Sequence, residues 1–219
     1  MHAKHFVSRL AAIAGLIAAA ANANAALTAY NSSTSFAAAT ANSATDTYDD
    51  LVQSGTQTAL PNPLSRMAGD YSYEVSATNG LFRAGTVSDG SLGTLNTTEP
   101  IVFNTFAGGV KAIGGLFYAV DGGGAFVSGQ TMTLTVADSF GATAKSVITD
   151  ASLSSFAGFS SNGTITSLTL SVGYPEVSAA VNNLVLAQLP TPPVPEPATL
   201  GMFLAGLGAL AFVRRRRNA

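Results

Sequence analysis

The most constraining feature of the sequence is its division, from Tyr71 to Gln188, into short runs of apolar and β-branched residues. Gly, Asn and Asp interrupt these runs at roughly the 8–12-residue spacing typical of a β-sandwich. In Thr131–Val136 the alternation is strict, which predicts that Met132, Leu134 and Val136 face a core. The runs that fit are Tyr71–Thr78, Leu81–Val87, Ile101–Phe106, Val110–Val120, Thr131–Ala137, Thr143–Thr149, Ser155–Ser160, Ile165–Val172 and Val181–Ala187. The sequence therefore predicts an all-β domain, an antiparallel β-sandwich.

Local signals add detail to this sandwich. Asn79-Gly80 predicts a two-residue hairpin turn, and Ser139–Gly141 predicts another hairpin. The alanine-rich stretch Ser33–Asn42 favours a short N-terminal helix capped by Ser33 or Thr34. Residues 47–52 alternate like a strand, and Ala59–Pro63 is typical of a loop.

The N-terminus has the pattern of a secretory signal peptide. Lys4 and Arg9 make a basic start, Leu10–Ala21 is apolar, and Ala23 and Ala25 form an A-x-A site. We expect cleavage after Ala25, so residues 1–25 are the signal peptide and the mature chain is exported.

The C-terminus has three parts in a fixed order. A proline-rich stretch that ends at residue 197 is followed by the apolar run Leu200–Val213. As a helix this run spans roughly 21 Å, somewhat short of the ~30 Å hydrocarbon core. The basic cluster behind it predicts a cytoplasmic stop-transfer signal; its members are Arg214, Arg215, Arg216 and Arg217. We therefore expect a C-terminal single membrane helix, residues 198–213, and a basic cytoplasmic tail, residues 214–219.

This C-terminal order, with Pro195-Glu196-Pro197 ahead of the apolar run, resembles the PEP-CTERM sorting signal of Gram-negative bacteria. The resemblance implies that the inner membrane holds the exported protein transiently until an exosortase removes the segment. It implies that Pro195, Glu196 and Pro197 form the motif that the enzyme reads. Residues 189–197 would then be a Pro-rich linker carrying the motif, and residues 26–188 the ectodomain.

The residues of the mature chain restrict its chemistry. Both histidines, His2 and His5, fall in the signal peptide, and the chain has no cysteine and no tryptophan. This excludes Ser-His-Asp and Cys-His catalysis, zinc sites built from His and Cys, and disulfides. We assign no catalytic, cofactor-binding or metal-binding residue and no cofactor. Roughly 165 residues are enough for one core.

Charge is unevenly distributed along the chain. Of the ten basic residues, six lie in the terminal signals, so residues 26–194 contain four basic and eleven acidic residues, a net charge of about 4 − 11 = −7. Nucleic acid would be repelled by such a surface, so no nucleic-acid partner is expected.

The middle of the chain is similar to the ectodomain common among PEP-CTERM proteins. The matching segments are SFAAA, YDDL, AIGGLFYAV, GFSS before ITSLTLSV, and VNNLVLA. This resemblance implies a jelly-roll or lectin-like sandwich, like a carbohydrate-binding module in shape. Relatives often close with an Asp-Asn pair, where this chain has Asn182 and Asn183.

Three groups of residues invite a binding function. Asp49 and Asp50 would meet Asn182 and Asn183 if the first and last strands pair, which suits Ca²⁺, although ordinary surface residues are the favoured interpretation. Tyr71, Tyr73 and Tyr174 could line a sugar platform, with core and rim packing as the favoured alternative. Asp121–Gly124 is interpreted as a hairpin turn.

The sequence thus favours a non-enzymatic exported surface or extracellular-matrix protein that an exosortase cleaves. The alternative is a carbohydrate-binding module-like protein that binds exopolysaccharide. A glycan-degrading enzyme that uses paired carboxylates is the third and least favoured class.

Overall fold

The computed structural model describes residues 26–51, 58–86, 89–191 and 207. Within them the chain forms one short helix, α1 (Ser33–Ala39), and two antiparallel sheets. The strands before Ile101 are β1 (Leu27–Tyr30), β2 (Ala41–Asp46), β3 (Thr58–Leu60), β4 (Leu64–Ala68), β5 (Tyr71–Ser76), β6 (Leu81–Thr86) and β7 (Asp89–Thr94). The later strands are β8 (Ile101–Ala107), β9 (Ala112–Val120), β10 (Phe126–Val127), β11 (Gln130–Asp138), β12 (Thr143–Ala151), β13 (Phe156–Ser161), β14 (Ile165–Val172) and β15 (Ser178–Gln188).

The two sheets differ in size. The larger has nine strands in the order β1-β13-β9-β15-β7-β6-β3, and β10 and β2 pair with β9 and β15. The smaller has six strands in the order β12-β11-β14-β8-β5-β4. The prediction of an all-β antiparallel sandwich is confirmed. The finer jelly-roll or lectin-like assignment stays a prediction.

The main core lies between the inner faces of the two sheets. Met132, Leu134 and Val136 of β11 are fully buried in it, whereas Thr131 and Thr135 on the opposite face of the strand are exposed. Alternation along β11 therefore sorts the side chains as the sequence predicts. All nine predicted strands from Tyr71 onward are found, with ends that differ from the prediction by at most three residues. Two strands in this part of the chain, β7 and β10, were not predicted.

Helix α1 covers part of the outer face of the nine-stranded sheet. Its buried Phe36 packs with Ala112 and Ala187, and its ring lies against the backbone at Gly158. A Cβ atom at position 158 would lie 2.6 Å from the Phe36 ring, so glycine is required for this contact. The helix thus seals one patch of a sheet that would otherwise expose apolar residues.

The predicted helix is confirmed, but its N-cap residue and its last residue differ from those predicted. Ser32, not Ser33 or Thr34, is the N-cap, and its Oγ accepts a hydrogen bond from the Ser35 N–H at 3.2 Å. The helix ends at Ala39, and β2 begins two residues later because that strand pairs with β15.

Three local predictions are wrong in whole or in part. The stretch Ala59–Pro63, predicted as a loop, begins with the last two residues of strand β3, which pairs with β6. Residues 47–51 form a turn, not a strand: Tyr48 has a φ of 61°, and the Leu51 N–H donates to the Tyr48 carbonyl. Residue 52 lies outside the described residues. Asn79-Gly80 does not join a hairpin, because β5 belongs to the six-stranded sheet and β6 to the nine-stranded sheet. This turn is a crossover between sheets, and Glu99 holds it by accepting a hydrogen bond from the Asn79 N–H.

The predicted signal peptide, the Pro-rich motif, the apolar run and the arginine cluster lie outside the described residues, apart from residues 189–191 and 207. Among the residues that the structure does describe, no helix has the length and apolarity to cross a bilayer.

Two turns share one design, D-x-x-G-A. In Asp121–Ala125 and in Asp138–Ala142, Oδ1 of the aspartate accepts hydrogen bonds from the N–H groups two and four residues later. The glycine at the fourth position has a φ of 81° in the first turn and 79° in the second. Both predicted turns, Asp121–Gly124 and the hairpin at Ser139–Gly141, are therefore confirmed.

Asp138 accepts one further hydrogen bond, from a side chain outside its turn, that is not found for Asp121 among the described contacts. Its Oδ2 accepts a hydrogen bond from the Ser161 hydroxyl at 2.6 Å, which links the β11–β12 turn to the end of β13. This bond, together with those from the backbone of the turn, lowers the pKa of Asp138 below its ordinary value.

The matched pair Asp138→Asn and Asp121→Asn tests this link. Because the folded-state pKa of Asp138 is depressed, its contribution to stability is complete above the unfolded pKa of about 3.9 and is lost as pH falls through the folded value. We expect Asp138→Asn to be the less stable variant at pH 7, and its deficit relative to wild type to shrink as the pH is lowered below about 3.9.

Urea unfolding at several pH values measures this difference. Equal pH dependence in Asp138→Asn and Asp121→Asn would show that the Ser161 link does not set the titration of Asp138.

Candidate functional site

A cluster of charged and hydrogen-bonded side chains forms around Arg66 on the edge strand β4. The Arg66 guanidinium donates four hydrogen bonds, two to Asp46 at 2.6 and 2.9 Å and two to Asp50 at 2.7 and 2.9 Å. Its carbon lies 5.4 Å from the centre of the Tyr48 ring, within cation–π range. One cation therefore holds the end of β2 and the turn that follows it.

The two carboxylates of this cluster have different environments. The Asp46 side chain is 3% exposed and that of Asp50 is 69% exposed. Asp46 also accepts hydrogen bonds from the Tyr73 hydroxyl at 2.7 Å and from the Tyr48 N–H at 3.1 Å. The Asp46–Arg66 pair is thus an internal ion pair, whereas Asp50 is the outer, solvent-facing partner.

The tyrosines beneath the pair are structural. The Tyr73 and Tyr48 oxygens lie 2.9 Å apart, and both rings are in the main core. Burial raises the pKa of each phenol well above its ordinary value, and the Asp46 charge adds to this effect. Both hydroxyls therefore stay protonated and serve as hydrogen-bond donors, not as bases.

A groove opens beside this cluster, where β4 and β5 face solvent next to β8. We call it the β4–β5 groove; it encloses about 540 Å³. Its lining residues are Asp50, Ser65, Arg66, Met67, Ser72, Tyr73, Glu74 and Thr105.

Thr105 has an unusual backbone at the rim of this groove. Its φ is 51°, in the left-handed region that β-branched residues rarely adopt, at the point where the pairing of β5 with β8 shifts register. Its hydroxyl donates to Glu74 Oε2 at 3.1 Å and lies 3.1 Å from the Asn104 side-chain oxygen. Such a conformation costs about 1–3 kcal/mol and occurs often at functional sites.

The cation site considered from the sequence is only partly assembled. Its topological premise is met only in part: β2, which ends just before Asp49 and Asp50, pairs with the last strand, β15, whereas the first strand, β1, pairs with β13. However, Asp50 binds Arg66, and Asp49 Oδ1 accepts a hydrogen bond from the Gly90 N–H at 2.9 Å. That bond is the main cause of the lowered pKa of Asp49.

Asn183 has a backbone function in this arrangement, and Asn182 is buried beside it. They lie where the pairing of β15 with β9 shifts register, and Asn183 has a φ of 50°. Asparagine tolerates this left-handed conformation better than most residues. No group of three or more acidic, histidine or cysteine side chains that could hold a metal ion occurs within the described part of the chain.

The aromatic sugar platform is wrong for two of its three members. Tyr71 and Tyr73 are 4% and 2% exposed, and the Tyr71 hydroxyl donates to the Asn42 carbonyl at 2.5 Å. Tyr174 is 50% exposed in the loop before β15. Core packing, the interpretation that the sequence favours, is confirmed for Tyr71 and Tyr73.

Sequence reasoning missed Arg66, Asp46 and Glu74. One signal was available for Arg66, which is one of only four cations among eleven carboxylates in residues 26–194. In so acidic a domain, an isolated arginine on a strand is a candidate for a carboxylate pair. No comparable signal marks Thr105, because the register shift depends on how β5 and β8 pair.

Comparison with known proteins identifies the C-terminal segment. Residues 193–217 match the family model of the PEP-CTERM protein-sorting motif, as the resemblance implies. The individual roles of Pro195, Glu196, Pro197 and Arg214–Arg217 stay predictions. No curated protein matches the chain.

Several solved structures are similar over part of the chain. The CBM22-1-CBM22-2 tandem domain of Paenibacillus barcinonensis Xyn10C is 16% identical, with a TM-score of 0.32, over 70% of this chain and 47% of that chain. The chain therefore spans about half the length of that structure.

Two single modules are similar at the same level. The CBM22-1 xylan-binding domain of the same Xyn10C is 15% identical, with a TM-score of 0.30, over 68% of this chain and 94% of that chain. The family 11 carbohydrate-binding module of the Clostridium thermocellum cellulase Lic26A-Cel5E is 11% identical, with a TM-score of 0.28, over 68% and 98%. Similarities this low assign no ligand to the chain.

Replacing Arg66 tests whether the inner pair stabilises the fold. Arg66→Ala leaves the buried Asp46 carboxylate without its cation, so we expect a loss of about 3 kcal/mol in the free energy of unfolding. Asp50→Ala removes only the exposed partner and should cost less than about 1 kcal/mol. Chemical denaturation of the two variants measures both values, and equal losses would contradict the distinction between inner and outer partners.

Proposed function

We propose that this chain is a non-enzymatic exported protein of the cell surface or extracellular matrix, sorted through its C-terminus by an exosortase. The match of residues 193–217 to the PEP-CTERM sorting motif carries the proposal. In it, the apolar run and Arg214–Arg217 hold the chain in the inner membrane, and Pro195-Glu196-Pro197 is the segment that the exosortase reads.

The fold supports cleavage after the last strand. β15 pairs with β9, β7 and β2, and its pairing with β2 extends to Gln188. Only residues 189–194 separate that strand from the motif. A cut within residues 195–197 would leave every described strand intact, whereas a cut upstream of Gln188 would remove a central strand.

The composition and one carboxylate of the groove support the non-enzymatic part of this proposal. Asp50 and Glu74 are the carboxylates that line it. Hydrogen bonds from Arg66 lower the pKa of Asp50, so this carboxyl stays ionised. A glycosidase needs one carboxyl with a raised pKa as general acid, which Asp50 does not provide.

The alternative is a module that binds exopolysaccharide. One observation favours it, namely the β4–β5 groove, whose lining combines hydroxyls and carboxylates with the exposed Met67 side chain.

Intact-mass measurement of the mature protein tests the sorting proposal. We expect the protein from an exosortase-containing host to lack residues 1–25 and to end near residues 195–197. The same chain from a host without exosortase should keep its C-terminus, and Glu196→Ala should slow the processing in the first host. A mature species that retains Arg214–Arg217 in the exosortase-containing host would refute the proposal.

A further inference from the structure

We propose that the β4–β5 groove binds a neutral, hydroxyl-rich glycan segment. Its volume of about 540 Å³ falls within the roughly 300–1,000 Å³ of ligand pockets in proteins. The proposal concerns the ectodomain and does not rest on the sorting proposal.

The lining of the groove offers the groups that recognise sugar hydroxyls. Ser65, Ser72 and Thr105 contribute hydroxyls, and Asp50 and Glu74 contribute carboxylate oxygens that accept hydrogen bonds. Met67, which is 69% exposed, adds apolar atoms against which the C–H face of a sugar ring can pack. Polar and apolar groups thus lie side by side in the groove, and they match the hydroxyl groups and the C–H face of a sugar ring.

The charges of the groove favour a neutral ligand. Two carboxylates, Asp50 and Glu74, line the groove with a single cation, Arg66. Arg66 already donates four hydrogen bonds, to Asp50 and to the buried Asp46 beneath it. A uronic acid or a sulfated sugar would therefore meet a local excess of negative charge. The hydroxyls of a neutral sugar can instead donate to the carboxylates.

The groove is ordered before any ligand enters. Arg66 fixes Asp50 through two hydrogen bonds, and Thr105 fixes Glu74 through one. Because these side chains are already held, binding loses less conformational entropy than it would on a mobile surface.

Thr105 gives the strongest support for a binding function of the groove. Glycine would adopt its φ of 51° without steric strain, so the left-handed conformation itself does not require threonine at this position. What threonine adds is a hydroxyl at the rim of the groove, next to Glu74. We infer that this hydroxyl and the Glu74 carboxylate bind the sugar together.

Isothermal titration with defined oligosaccharides tests the proposal. The full-length protein is kept in a zwitterionic detergent without a sugar head group, so that the experiment is independent of processing. The neutral probes are hexasaccharides of glucose, mannose, galactose and xylose, and the anionic probe is the hexasaccharide of galacturonic acid. We expect at least one neutral probe to bind with a Kd of about 0.1–1 mM, and the anionic probe to bind at least about tenfold more weakly.

Three variants separate binding from folding. Glu74→Ala and Thr105→Gly should each weaken binding of the neutral probe about tenfold or more, without a fall in the thermal midpoint. Thr135→Ala removes an exposed hydroxyl from β11, on the same sheet but outside the groove, and should leave binding unchanged.

Three results would overturn the proposal. They are no binding of any neutral probe, equal binding of the anionic probe, and a loss in Thr135→Ala that matches the loss in the groove variants. A fall in thermal midpoint that accounts for the loss of binding in both groove variants would equally make Thr105 and Glu74 structural residues. Failure of the processing test would leave these results unaffected.

Discussion

The structure depends on the pairing of β15 with three other strands. Val181 of this strand lies opposite Phe117 of β9 on one side and Leu92 of β7 on the other, and Leu186 lies opposite Ile113 and Ala44. All the strand pairs among the described residues are antiparallel, and the chain has no cysteine. The two sheets are therefore held by burial, by strand pairing and by side-chain contacts such as the Asp46–Arg66 ion pair, which joins β2 to β4. β15 is also the last strand in the sequence, so the nine-stranded sheet closes only when the end of the ectodomain is in place.

The bulge at Asn182 and Asn183 allows β15 to change partners. Ala180 and Val181 pair with β7, whereas the residues from Leu184 onward pair with β2. The left-handed φ of Asn183 falls between these two segments. Asn183, the second residue of an asparagine pair that resembles a ligand position in the sequence, is therefore explained by the backbone conformation that asparagine permits. Asp121 and Asp138 are also explained by the local backbone, because each carboxylate accepts hydrogen bonds from N–H groups of its own turn.

Most of the correct predictions from the sequence rest on two signals, the alternation of apolar and polar residues and the residues typical of turns. They are local signals, and they located the strands from Tyr71 onward and the hairpin between β11 and β12. The same signals failed at Asn79-Gly80, because the side on which a strand pairs is decided by distant partners and not by its turn. They failed again at residues 47–51, where Arg66, from a different strand, organises the turn through Asp46 and Asp50. The β4–β5 groove could not be predicted, since its residues come from strands whose register only the fold defines.

Hydrogen exchange in the native protein tests the central role of β15 most directly. The amides of Val181 and Leu186, which lie between two neighbouring strands, should exchange only through global unfolding, with a free energy equal to that from denaturant unfolding. Amides of α1 and of the short edge strand β3 should exchange at lower free energies. Exchange of Val181 and Leu186 well before the amides of β11 and β14 would show that the six-stranded sheet stays folded without β15, and would contradict this account.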